Sequence, residues 1–148
     1  WGLKKTGPQS IGKSRGGWTT KIHMVAASAE CALIFSLSPG NAGDAPEGRE
    51  LLWKLGPPAA NCSLLMDTAY EGNETWYLGM SLGYSPVVPP HPNRLEPWEY
   101  DKELYKRRNE VERLFCRLKR FRRVFTRYDK LDVIYLGFIT FAFIADAL

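Results

Sequence analysis

Short apolar runs and helix-patterned segments take turns along this chain, and that alternation narrows the possible folds more than any other feature. "WTTKIHMVAAS" and "CALIFSLSP" are rich in β-branched and apolar residues and are parted by a small polar turn. They read as neighbouring strands of a hairpin, the second stopped by Pro39-Gly40. "APEGRELLWKL" opens with an acid, spaces Leu51, Leu52 and Leu55 for one helix face, and ends at Gly56-Pro57-Pro58. "CSLLMD" is a compact apolar run with the pattern of a buried strand, and Asp67 closes it. "NETWYLGMSLG" reads as a helix and "YSPVVPP" as a short strand. A polar loop then leads to a long basic helix and a last apolar one. Strands and helices in this order predict a mixed α/β sheet covered by helices. At 148 residues and 45% hydrophobic, the chain is long enough for one domain with a real core. Only "WGLKKTGPQSIGKSRGG" lacks periodicity, so residues 1–20 read as a basic, Gly-rich arm ahead of a domain over 21–148.

Charge is distributed in blocks. Residues 1–21 hold five basic groups and no acid, residues 22–101 three against ten acids, and residues 102–130 twelve against four. Two basic ends around an acidic middle point to a polyanion partner, nucleic acid first, although a charge run can equally be a solvated helix face. Cys31, Cys62 and Cys116 are far apart and form no CxxC, which fits a reducing compartment and argues against a disulfide scaffold or zinc site. The apolar run Val133 to Ala145 is shorter than the roughly 20 residues that span a bilayer, so it reads as a buried terminal helix.

The stretch "DKELYKRRNEVERLFCRLKRF" can be tested as one helix. At about 100° per residue from Glu112, Tyr105, Arg108 and Lys119 all fall within about 40° of it. Leu104, Val111, Phe115, Leu118 and Phe125 form an apolar face, and Lys102, Lys106, Arg113, Arg117 and Arg120 a basic one. Glu112 thus lies on the seam between core and basic face. It either pairs with Arg108 through an ordinary i, i+4 contact or serves a bound polyanion. Asp67 is its natural companion, because ligand chemistry in open α/β sheets gathers at the C-terminal ends of strands. Two carboxylates at one site repel unless a cation lies between them, and Mg²⁺ takes a few carboxylate oxygens with phosphate and water. Such a pair beside a basic face suits phosphodiester chemistry.

Three other features compete. "GPQSIGKS", Gly7 to Ser14, matches the phosphate-loop pattern, but neither "WGLKKT" before it nor "RGGWTTK" after it suits the strand and helix that loop needs. Lys13 and Arg15 then read as backbone contacts of a flexible arm. His23 and His91 are isolated, and Asp44 reads as a turn residue.

Taken together, "IGKSRGGWTTKIH", "LLMDTAYEG", "PVVPPHPNR" and "YKRRNEVERLFCRLKRFRRVFTRYDKL" resemble, in the same order, bacterial insertion-sequence transposases of the DDE type, in the branch named after insertion sequence five. Tyr105, Arg108, Glu112 and Lys119 fit that family's signature of Tyr, two residues, Arg, three residues, Glu, six residues, Lys. The resemblance implies a ribonuclease H-like fold whose Asp67 and Glu112 are catalytic and bind Mg²⁺ or Mn²⁺. Arg108 and Lys119 would hold the phosphate backbone near Glu112. Tyr105, Arg113, Arg117, Arg120, Arg122, Arg123, Lys13 and Arg15 would add DNA contacts. It further implies transposon-end and target DNA as partners, a homo-oligomer, and a cytoplasmic, nucleoid-associated place in a bacterium. The family's first catalytic Asp lies on a strand ahead of the "SRGG" segment, whereas no acid here precedes Glu30. The expectation is therefore a chain lacking its first strand, with strand transfer belonging to the complete protein. A DNA-binding remnant without catalysis is the alternative.

Overall fold

In the computed structural model, which describes residues 7–148, the first strands are β1 (Gly12–Ser14), β2 (Gly17–Ser28) and β3 (Cys31–Pro39), forming one sheet in that order. The β2–β3 hairpin follows from its β-branched and apolar runs, with Ser28 Oγ accepting from the Glu30 backbone N–H at 3.2 Å in the turn. β1 was not expected. Residues 12–20, read as part of a loose arm, instead form a tight antiparallel hairpin in which Lys13 faces Trp18. The partner strand supplies what composition hides, because a Gly-rich segment gains order once β2 accepts its backbone bonds. The same finding removes the phosphate loop: Lys13 lies on a strand, and Ser14 leads into a turn and β2 rather than a helix. Residues 1–6 of the predicted arm lie outside the described residues.

Helix α1 (Asp44–Leu55) starts at Gly43, so Asp44 begins a helix rather than ending a turn. Asp44 and Glu47 in its first turn and Lys54 in its last complement the helix dipole. It stops at Gly56, whose φ of 76° suits glycine and whose N–H bonds the Leu52 carbonyl at 2.9 Å. β4 (Cys62–Leu65) and β5 (Tyr84–Val87) pair in parallel, joined through helix α2 (Asn73–Ser81). Gly79 lets α2 lie close on this pair, since a Cβ there would sit 3.0 Å from Pro86 Cγ. Leu52, Leu64, Met66, Tyr84 and Val88 form the core, with Tyr70, Trp76, Leu82 and Trp98 against it. In place of one continuous mixed sheet, the strands make a three-stranded sheet and a separate two-stranded one.

The helix expected over residues 101–125 is broken. Asp101 caps α3 (Lys102–Tyr105), Lys106–Arg108 tighten into a 3₁₀ turn, and α4 covers Asn109–Leu118. Lys119 and Arg120 lie past the end of α4, and α5 (Arg122–Phe125) follows. Phe125 is therefore not on an apolar docking face; it is 67% exposed, while Leu114, Leu118 and Val124 are buried. The last helix, α6 (Asp132–Ala147), buries Tyr135, Ile139 and Ala142 but exposes Val133, Phe141 and Ile144, so it is half-buried rather than fully covered. Among the described residues no helix is long and apolar enough to cross a membrane.

Two compact units result. One gathers residues through Ile22 with Leu37–Ala42 and Phe115–Leu148; the other holds His23–Ser36 and Gly43–Leu114. Inside the first, Arg127 pairs with Asp132 at 2.6 Å, Asp132 accepts from the Ser10 backbone, and the Tyr135 hydroxyl bonds the Val124 carbonyl at 2.9 Å.

Candidate active site

Asp67 follows β4 directly. The Met66 N–H still bonds the Val87 carbonyl, and Asp67 then leaves the sheet to cap a 3₁₀ turn over Thr68–Tyr70. Its Oδ1 accepts from the Ala69 N–H at 3.0 Å, which fixes the carboxylate and turns Oδ2 outward. That second oxygen lies 3.1 Å from Arg108 Nη1. Arg108 Nη2 in turn donates to Glu112 Oε1 at 2.8 Å. One guanidinium therefore spans both carboxylates, and all three residues belong to the same compact unit.

Of the two readings of Glu112, the ordinary ion pair is the one seen. The i, i+4 pair with Glu112 is present, and the same side chain reaches the strand-end Asp. The Arg108 side chain is 24% exposed, those of Asp67 and Glu112 48% and 58%, so the carboxylates face solvent while the cation is tucked between them. Its Nε is buried with no hydrogen-bond partner among the described residues. Burial opposes the guanidinium charge, but Tyr105, Glu112 and Asp67 more than offset it, and its pKa rises above the usual arginine value. The Tyr105 ring stands 5.6 Å from Arg108 Cζ and edge-on to Tyr100. Behind Asp67, the Tyr70 hydroxyl lies 3.1 Å from Nδ1 of buried His23. Burial, then the charges of Asp44 and Asp67, push the Tyr70 pKa up to about 12, so it stays neutral.

The donor set suits a divalent ion in a limited way. Two carboxylates already converge on one cationic group, which matches an ion that completes its shell with water and phosphate. Among the described residues no three His, Cys, Asp or Glu side chains come together, so the protein does not close a cage. With Arg108 in place the trio keeps one net negative charge, which leaves an attraction for a further cation.

The remaining predicted contacts divide. Lys13, Arg15, Arg113, Lys119 and Arg120 are exposed, as DNA contacts must be. Arg117 is already paired within the fold, its Nε 2.9 Å from Asp146 Oδ2. Arg123 is partly committed, over the Phe138 ring at 4.5 Å and 3.6 Å from Asp129. Arg122 donates to the Tyr128 hydroxyl at 3.2 Å. His91 accepts from the Asn93 N–H in its own turn and takes no part in the site. The bridging role of Arg108 was not foreseen, since sequence spacing shows its reach to Glu112 but not to a residue 41 positions earlier.

The family model described as "Transposase DDE domain" matches residues 3–145. A protein of Brucella ovis (strain ATCC 25840 / 63/290 / NCTC 10512) named "Putative transposase for insertion sequence element IS6501" is 30% identical over 125 residues, covering 84% of this chain and 94% of that protein. No solved structure matches. The family match spans nearly all of the chain, including Asp67, Arg108 and Glu112, and the chain belongs to the transposase DDE domain family.

Proposed function

We propose that the chain carries part of the catalytic centre of an insertion-sequence transposase, with Asp67 and Glu112 as ligands of Mg²⁺ or Mn²⁺ in phosphodiester cleavage and strand transfer at the element's ends. The observation that carries this reading is the single guanidinium held by both carboxylates, which brings a strand-end Asp and a helix Glu to one cation. Antiparallel strands followed by helix, parallel strand, helix, parallel strand and further helices support a ribonuclease H-like arrangement. A bound divalent ion would supply Lewis-acid stabilisation of phosphate and a more acidic water. The chain's own groups do the rest. The Ala69 N–H holds Asp67 in one orientation, Arg108 neutralises phosphate charge beside the carboxylates, and Arg113, Lys119 and Arg120 add sequence-independent attraction to the DNA backbone.

A second reading, DNA binding without catalysis, is favoured by the absence of a third carboxylate at the pair among the described residues. The two readings separate in a Mg²⁺-dependent nicking assay on insertion-end DNA. Nicking lost in Asp67→Asn and Glu112→Gln, with DNA affinity kept within about two-fold, supports the first. Nicking that persists in both variants defeats it.

A further inference from the structure

The β1–β2 hairpin has a chemistry that the carboxylate site does not use. Its strands join through the two-residue turn Arg15-Gly16, with Ser14 opposite Gly17 and Lys13 opposite Trp18. Residues directly opposite in an antiparallel pair project to the same face, so the Lys13 ammonium and the Trp18 indole share one. Trp18 is 73% exposed, and Lys13 and Arg15 are exposed beside it. A large apolar ring left in water is common when single and loosely held. The backbone that carries this one is tied at both ends of the hairpin. At the tip, Ser14 Oγ donates to the Gly17 carbonyl and Thr19 Oγ1 to Ser14 Oγ, both at 3.1 Å. Gly17 adopts φ 108°, a conformation that side-chain-bearing residues rarely take. At the base, the Gly40 N–H bonds the Thr19 carbonyl at 3.0 Å, and Arg127 donates to Thr20 Oγ1 at 2.8 Å while pairing with Asp132. All of these residues lie in one compact unit.

We infer that this hairpin is a base-stacking site for DNA, in which the Trp18 ring packs on an unpaired nucleobase while Lys13 and Arg15 take the neighbouring phosphates. Aromatic faces interleaved with cations are what binds unstacked strands, because every base offers a ring face and every linkage a charge. A support fixed before binding spares the ordering cost that a mobile arm would pay. The choice of DNA as ligand rests on the transposase reading; the stacking does not depend on the carboxylates.

The test is fluorescence anisotropy of the 148-residue chain in EDTA, against a duplex, a single strand, and a duplex ending in an unpaired overhang that carries 2-aminopurine. Trp18→Ala should weaken the single strand and the overhang about ten-fold or more and the duplex less than two-fold. Trp18→Phe should keep most of the affinity, and 2-aminopurine should be quenched by wild type and Trp18→Phe but not by Trp18→Ala. Equal affinity of Trp18→Ala and wild type, an equal loss on all three probes, or a wild type that binds none of them would each overturn the inference. Because EDTA removes divalent ions, the nicking result for Asp67→Asn stands apart. Lost nicking with unchanged Trp18→Ala binding sinks the stacking site alone, and the reverse pattern sinks the metal reading alone.

Discussion

Replacing Arg108 by Gln takes a cation from between two carboxylates and leaves a side chain that still hydrogen-bonds. The guanidinium makes two contacts, at 3.1 Å to Asp67 and 2.8 Å to Glu112. Both acids are about half exposed, so each pair contributes only about 0–1 kcal/mol. The variant should therefore lose about 1 kcal/mol without divalent ions, which for a chain of this size is roughly 2–4 °C in Tm. Affinity for a divalent ion should move the other way. The trio goes from one net negative charge to two, and a competing positive charge a few ångströms away disappears. In partly solvated surroundings that change is worth about 1–2 kcal/mol, or roughly ten-fold tighter Mn²⁺. Saturating Mn²⁺ then adds about 1.4 kcal/mol more to the variant than to wild type and closes the gap in Tm. Calorimetric titration with Mn²⁺ and thermal melts in EDTA and in excess Mn²⁺ measure both arms. If Arg108→Gln bound Mn²⁺ no more tightly than wild type while Asp67→Asn abolished binding, the guanidinium would not be competing for the ion's place and the argument would fail.

Two further outcomes test the surrounding structure. The Asp132 carboxyl is opposed by burial, but the Ser10 N–H and the Arg127 guanidinium more than offset this and hold its pKa below the ordinary 3.8. A depressed carboxylate stabilises the fold above its unfolded pKa and loses that contribution as pH falls through the folded one. Asp132→Asn should thus cost about 1.5–3 kcal/mol at neutral pH and flatten the loss of stability below about pH 4, as read by urea melts across that range. For DNA affinity, neutralising Arg113, Lys119 and Arg120 together should reduce the slope of log K against log salt by up to about 3. Arg117→Ala should leave that slope unchanged and lower Tm instead, because its partner is Asp146.

Elements whose order comes from local pattern were legible: β2, β3, α1, β4, α2 and β5 all sit on the segments that mark them, and β3 and α1 stop at Pro39 and Gly56. β1 was not, since "GKS" carries no strand propensity and exists as a strand only through its pairing with β2. Rotating at a constant 100° past residue 106 assumed an unbroken helix. The end of α4 at Leu118 spoiled that arithmetic for Lys119, Arg120 and Phe125, and the 3₁₀ turn at Lys106–Arg108 for the residues before it, whereas Arg108 and Glu112, only four residues apart, kept their shared side. The candidate site shows the same division. Asp67 and Glu112 could each be singled out from its own neighbourhood, one closing an apolar run and the other on a helix seam. What joins them is a contact across 41 residues of chain, and that depends on how α3, the 3₁₀ turn and α4 follow the β4–α2–β5 unit. The residue that makes the join is a base rather than an acid. Two carboxylates drawn together in a chain have to be neutralised by something before any ion arrives, and the signature Arg four residues ahead of Glu112 is within reach of both. Its place between them explains why the pair can converge at a smaller cost to folding than two unpaired carboxylates would carry.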